Sequence, residues 1–318
     1  MKVTKATDLQ CCLQSGREDR AGVTLVEVLV AIGVIALLAA ISLPAVQSAR
    51  GAAQRIECAA RLQELGVATQ NFHQANEILP DADHPLYDLL PYVEQVSLHA
   101  ELAKSASDRV GPFNGPSIYR CPADSYAIAG SLHVNYRINE GSAFSFNGLR
   151  NAGILPMRFR DVSDGLSTTA MFAEAVIGAL DLPYRPPRDD AVARQDPNRY
   201  LWHLSAFYDN EVVFIEQCMD PRNHVTTIPG AQWGAPQVYG GTETPYNHFV
   251  PPNRPGCLNT PPDELLSFTK AVPPTSYHTG GVNLLLCDGA VRFLSNSIDL
   301  QTWRNLGSRN GSDVVGPF

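Results

Sequence analysis

The 318-residue chain carries 24 Lys and Arg against 32 Asp and Glu, a formal net charge of -8, with 44% hydrophobic and 18% charged residues. That balance is ordinary for a globular protein, and the length is enough for one large domain or two small ones around a sizeable core. No block of basic residues marks a nucleic-acid groove, so nucleic acid is excluded as a partner.

The first informative element is the apolar run Val28 to Leu43, VLVAIGVIALLAAISL, which contains no charge. With Val23 to Val26 it makes a stretch interrupted only by Glu27. As a helix, that stretch crosses a hydrocarbon layer of about 30 Å. A secretory signal peptide is the competing reading, with Ala39 to Ser42 as an imitation of a cleavage site. Two features oppose it: an acid stands where basic residues are expected, and the helical pattern continues beyond the run. A carboxylate at the edge of the hydrocarbon costs a few kcal/mol unless a positive group meets it. An α-amino group exposed at Val23, in this subunit or a neighbour, would be such a group. The segment Met1 to Arg20 mixes Lys2, Lys5, Arg17 and Arg20 with Asp8, Glu18 and Asp19, which blunts any charge-based orientation rule.

Past Pro44 the pattern becomes amphipathic. Ala45, Ala49, Ala52, Ala53, Ile56, Ala59, Ala60, Leu62, Leu65, Ala68 and Phe72 recur at spacings of three or four, which predicts a helix ending near Asn76. Pro44 is expected to kink or loosen it. The soluble region then reads as short elements. A short helical pair is expected over 86–103, a strand over 131–138 and another over 170–177, which carries Glu174. Between those strands, Asp164-Gly165 marks a tight turn. The stretch from Asp181 to Pro274 holds most of the 24 prolines and two of the three tryptophans. It predicts ordered loops around a few strands, one of them Glu211 to Glu216. Val282 to Cys287 and Ala290 to Leu294 flank Asp288-Gly289, a hairpin signature. A helix over 296–306 follows, with Asp299 as N-cap and Gly307 as C-cap.

Two resemblances arise from these residues. Gly22-Val23-Thr24-Leu25-Val26-Glu27 resembles the type IV prepilin cleavage and methylation motif, with Glu27 fifth and Pro44 twenty-second counting from Val23. The resemblance implies a leader over 1–22, cutting after Gly22 by a prepilin peptidase, and N-methylation of Val23, although Phe is usual at that position. His278, nine intervening residues and Asp288-Gly289 resemble the H-x9-D-G motif of the prepilin-type, processing-associated family. Cys58 with Leu62, Leu65 and Gly66, the segment Leu89 to Gln95, Cys121-Pro122-Ala123-Asp124, and Asp161 to Thr169 are similar to further segments of that family. The implied fold is α+β and pilin-like: a long N-terminal transmembrane helix packed on an antiparallel β-sheet, with a loop-rich insertion. The implied divisions are the leader, a helix over 23–78 (membrane half 23–43, amphipathic half 44–76), and a periplasmic or extracellular domain over 79–318 with its insertion at 181–274. The implied location is the bacterial inner membrane, as a single-pass protein.

The remaining chemistry is sparse. No pair of the seven cysteines has C-x-x-C spacing, and Cys11 and Cys12 precede the apolar run. In an oxidising compartment Cys218 with Cys257, and Cys58 with Cys121, are the candidate disulfides, leaving at least one thiol free. Burial as small hydrophobes is the competing reading. The chain lacks G-x-S-x-G, H-E-x-x-H, P-loop and dinucleotide signatures, and its eight histidines are scattered, so no enzyme is expected. His278 is expected to hydrogen-bond a backbone carbonyl and Asp288 to make the turn. A Ca2+ site drawing on Asp161, Asp164 and Asp288 is the functional alternative. Trp202, Trp233, Tyr239, Tyr246 and Phe249 are expected to pack beneath the loops; as a groove they would suit a glycan. The expected role is structural or in assembly, as a pilin-like subunit or pseudopilin of a type II secretion or type IV pilus-type system. Its partners would be the prepilin peptidase, the lipid bilayer and other pilin-like subunits. The alternative is a ligand-binding module, carbohydrate-directed, on a pilin-type anchor.

Overall fold

A computed structural model describes residues 24–81, 84–104, 115–125, 133–150, 156–178, 194–229, 245–261, 269–311, 315–316 and 318. The chain divides into two units, Met1–Ala49 and Arg50–Phe318. Within the first, the described residues are the beginning of helix α1, Leu25–Asn76. Pro44 sits inside this helix, which continues unbroken through it. A proline removes one backbone donor, a loss that a helix in lipid tolerates. Every large hydrophobic side chain from Leu25 to Leu43 is exposed, from 50% at Val28 to 75% at Leu25.

The second unit opens with the other half of α1, where the pattern changes. Cys58, Leu62, Leu65, Gly66, Ala68 and Thr69 are buried. They form one stripe because residues three and four apart share a helix face. Thr69 satisfies its hydroxyl on the Leu65 carbonyl at 2.9 Å, so the stripe stays dry without an orphan donor. The helix stops where Glu77 turns left-handed at φ 59°. Two short helices follow, α2 (Pro85–Asp88) and α3 (Val96–Lys104), with a 3-10 turn at Leu90–Val93 between them.

Four antiparallel strands make the first sheet: β1 (Tyr136–Ile138), β2 (Ala170–Glu174), β7 (Gly281–Leu286) and β8 (Val291–Ser295), in that spatial order. Strand β7 shows the alternation that positions both faces. Leu285 and the following Cys287 pack with Leu62, Leu65, Tyr136 and Phe172 in the core that α1 closes. Leu284 and Leu286 point the other way, onto Trp303 and Leu306. Those two belong to the last helix, α5 (Leu300–Gly307), whose N-cap Asp299 accepts from the Thr302 N–H at 2.8 Å. Gly66 allows the close approach of α1: a Cβ there would meet Leu285 Cδ1 at 3.0 Å.

The region 181–274 is more than loops around isolated strands. Strands β3 (Tyr200–Leu204), β4 (His224–Pro229), β5 (Gly256–Leu258) and β6 (Lys270–Ala271) build a second sheet in the order β4-β3-β5-β6. The β3–β5 pair is parallel and the others antiparallel. The strand expected at Glu211 to Glu216 is instead helix α4, Glu211–Met219. The Asn210 side chain accepts from the N–H groups of Val212 and Val213 at 2.9 and 3.1 Å, and this cap overrides the strand preference of Val212, Val213 and Ile215. Helix α4 then buries Phe214, Ile215 and Cys218 against Phe249, Val250 and Cys257.

Both candidate disulfides are present, Cys58–Cys121 and Cys218–Cys257. Cys287 is a buried free thiol, and burial raises its pKa; Cys11 and Cys12 lie outside the described residues. The Cys58–Cys121 link spans 63 positions and ties α1 to the loop before β1. By chain entropy it contributes about 4 kcal/mol. The double variant Cys58→Ser/Cys121→Ser is therefore expected to lose about 3–4 kcal/mol, read as a lower denaturant midpoint of the detergent-solubilised chain.

Deep in the second core, His248 stacks on Trp303 with ring centroids 3.8 Å apart, and its Nδ1 lies 2.7 Å from the Trp303 carbonyl oxygen. Burial pushes its pKa from 6.5 down to about 3, against the pull of that carbonyl. The unfolded chain therefore takes up the proton first. Stability is complete above about pH 6.5 and declines as pH falls towards about 3. His248→Gln is expected to remove roughly 1.4 kcal/mol per pH unit from that decline, measured by denaturation at pH 7, 6 and 5.

Candidate functional site

Two places concentrate chemistry. The first is the start of α1. Glu27 Oε2 accepts from the Thr24 N–H at 2.8 Å and from the Thr24 hydroxyl at 2.9 Å. The Glu27 N–H points back at Thr24 Oγ1 across 3.3 Å. This is a capping box, an N-cap Thr paired with a Glu three residues later. Glu27 thus has a local partner that charge reasoning alone did not supply. The T-x-x-E spacing before an apolar run is the signal that reveals it. Gly22 and Val23, the other two residues expected at a processing site, lie outside the described residues.

The second place is buried where α1, the first sheet and the loop before β7 meet. Glu174 ends β2, His278 precedes β7, and their side chains are each 2% exposed. His278 Nε2 lies 3.1 Å from Glu174 Oε1 and 3.5 Å from Cys121 Sγ. Asn283 on β7 donates twice to the same carboxylate, from its backbone N–H to Oε2 at 2.7 Å and from Nδ2 to Oε1 at 2.8 Å. Asn283 thus meets the carboxylate with two donors, and the His278 ring closes the group from the other side. His278 therefore meets a carboxylate and a sulfur, not the backbone carbonyl expected for it. Glu174 and Asn283 were the missed members. Each is a polar residue inside an otherwise apolar strand, and such a residue needs a partner when buried.

Around this cluster, Cys121-Pro122-Ala123-Asp124 acts as a clasp. Cys121 bonds to α1 through the disulfide, and its N–H donates to Asn135 Oδ1 at 2.9 Å. Asp124 Oδ2 accepts from Asn135 Nδ2 at 2.9 Å and from the Ile177 N–H at 2.8 Å, while Oδ1 meets Arg199 at 3.0 Å. A buried carboxylate so bonded fixes the loop rather than binding a ligand.

The three aspartates proposed for Ca2+ are each used locally. Asp161 Oδ2 accepts from the Arg158 N–H at 2.9 Å. Asp164 Oδ2 accepts from the Ser308 hydroxyl at 2.9 Å and the Gly311 N–H at 2.7 Å, tying down the C-terminal segment. Asp288 Oδ1 accepts from the Ala290 N–H at 2.9 Å and shapes the hairpin with Gly289, which has φ 90°. Among the described residues they do not form one metal-competent group; Cys58, Cys121, Glu174 and His278 do. His278 and Asp288 also part company, one in the core and one at the turn. Trp202, Tyr246 and Phe249 are buried, as expected of residues packed beneath loops; Phe249 also lines a small pocket with Phe144 and Phe146, and Trp233 and Tyr239 lie outside the described residues.

Comparison with known families gives two matches. A family described as "Protein of unknown function (DUF1559)" matches residues 47–301. The prokaryotic N-terminal methylation motif matches residues 18–43. No curated protein and no solved structure matches the chain.

The geometry around Glu174 sets a direct expectation. Glu174→Leu leaves the Asn283 N–H and the His278 ring without their acceptor, at a cost of about 3 kcal/mol. Glu174→Gln keeps one acceptor oxygen and should cost clearly less. Equal losses for the two variants in chemical denaturation would contradict this account.

Proposed function

Because the chain belongs to the DUF1559 family and opens with a prokaryotic N-terminal methylation motif, we propose that it is a pilin-like subunit or pseudopilin of a type II secretion or type IV pilus-type system. The carrying observation is the coincidence of that motif with a helix whose apolar half is wholly exposed. Residues 25–43 rise about 29 Å as a helix, the thickness of a hydrocarbon core. A run of this size exposed to water would be a severe aggregation liability; in lipid it is solvated. The motif and the single apolar helix point to a membrane-anchored protein processed by a prepilin peptidase. In this reading the anchor sits in the bacterial inner membrane and residues past the span face the periplasm. Two disulfides support that side, since they persist in oxidising compartments.

Cutting after Gly22 frees the amine of Val23, one residue before the Thr24 N–H that Glu27 already accepts. The new positive charge then lies close to the carboxylate through covalent connectivity alone. In a bundle of such helices the same carboxylate is within reach of a neighbour's amine, which relieves the cost of a charge at the hydrocarbon edge.

Mass spectrometry of the protein recovered from membranes tests this reading: a chain beginning at N-methylated Val23 is expected. An intact leader, or a start near Ser42, would overturn it. Glu27→Leu should leave membrane insertion intact and reduce co-assembly clearly, because the neighbour's amine loses its partner.

A further inference from the structure

The buried cluster has a chemistry that anchoring does not use. Cys58 Sγ, Cys121 Sγ, a Glu174 oxygen and a His278 nitrogen all lie within 4.8 Å of one another. Around a tetrahedral Zn2+, with metal–sulfur distances near 2.3 Å and metal–nitrogen or metal–oxygen near 2.0–2.1 Å, the sulfur–nitrogen edge is about 3.6 Å and the nitrogen–oxygen edge about 3.4 Å. The corresponding separations are 3.5 Å from Cys121 Sγ to His278 Nε2 and 3.1 Å from His278 Nε2 to Glu174 Oε1. The sulfur–sulfur edge is far shorter than a metal site needs, because the disulfide holds it at bonding distance.

We propose that opening the Cys58–Cys121 disulfide converts this cluster into a closed site for a divalent metal of the Zn2+ type. Cys58 and Cys121 thiolates, His278 Nε2 and Glu174 Oε1 are its four ligands. Two thiolates with an imidazole and a carboxylate suit Zn2+, and four protein ligands leave no open position, so the site is structural rather than catalytic. The outer shell is in place: Asn283 fixes the carboxylate from two sides, and Asn135 holds the Cys121 backbone. The second disulfide provides a contrast. His224 Nε2 is 3.5 Å from Cys257 Sγ, yet it is also 2.9 Å from the Cys218 carbonyl oxygen, and these residues form no metal-competent group.

The chemistry balances with a dithiol as reductant. It supplies two electrons and two protons, the sulfur–sulfur bond breaks, two cysteine thiols form, and the dithiol leaves as its own disulfide. Metal binding then releases both thiol protons, and the imidazole carries its proton on Nδ1 so that Nε2 presents its lone pair. In an oxidising compartment the bond stays closed and the same residues form a clasp.

The test uses the full chain in detergent, reduced with dithiothreitol, freed of it anaerobically and titrated with Co2+. One equivalent should bind per chain, with tetrahedral d–d bands and a thiolate charge-transfer band, and none to the oxidised chain. The bands should persist in Cys218→Ser/Cys257→Ser and vanish in Cys58→Ser/Cys121→Ser. His278→Ala and Glu174→Gln should weaken binding at least about tenfold. A second readout needs no variant: in the reduced chain Zn2+ should slow alkylation of Cys58 and Cys121 relative to the metal-free chain and leave the rates of Cys218 and Cys257 unchanged. Absence of tetrahedral bands in the reduced wild type, bands that survive Cys58→Ser/Cys121→Ser, or alkylation rates of Cys58 and Cys121 that Zn2+ leaves unchanged would each overturn the proposal.

Discussion

One helix face carries the second unit. Cys58, Leu62, Leu65, Gly66 and Thr69 follow one another at spacings of four, three, one and three, and all are buried. Leu62 and Leu65 join Tyr136, Phe172 and Leu285 in one core, so α1, with Leu86, Leu89, Leu90 and Leu102 beside it, covers a face of the first sheet. An antiparallel sheet with one open apolar face is not independently stable in water. The disulfide from Cys58, the Gln54 side chain on the Pro122 carbonyl at 3.0 Å and Gln70 on the Cys287 carbonyl at 3.2 Å extend the same contact along the helix. Within one continuous element, the solvent requirement thus reverses: its first turns are apolar and exposed, its later turns supply a core.

Much of this was legible because it rests on local periodicity. The exposed run, the later part of the expected stripe (Leu62, Leu65, Ala68), the Asp288-Gly289 hairpin and the Asp299 cap each depend on residues within a few positions of one another, where helix and turn rules act directly; the earlier part of that stripe, Ala45 to Ile56, is exposed instead. The second sheet was not, because β3 pairs with β5 across a long separation and with no periodic pattern to announce it. Helix α4 was misread for a related reason: its composition favours a strand, and a single Asn side chain plus burial against Phe249 decides otherwise. At the site, both candidate cysteine pairs are bonded, although a cysteine count alone fixes no pairing, and Glu174 and Asn283 require knowing that β2 and β7 are neighbours.

Several segments of the chain have distinct physical duties. The Cys121 to Asp124 turn joins the helix to the loop network, Asp164 anchors the C-terminal segment, and the Asp288-Gly289 turn lets β7 return as β8. His278 stands apart, since its ring occupies the dry junction between a carboxylate and a sulfur instead of shaping a turn. The family match over residues 47–301 says little by itself about a ligand.

The capping box at Thr24 and Glu27 bears on the processing proposed above. On a cut after Gly22 both of its residues stay with the mature chain, so the local signal that starts the spiral travels with it. The first coil then carries its own latch, whatever happens to the residues ahead of it.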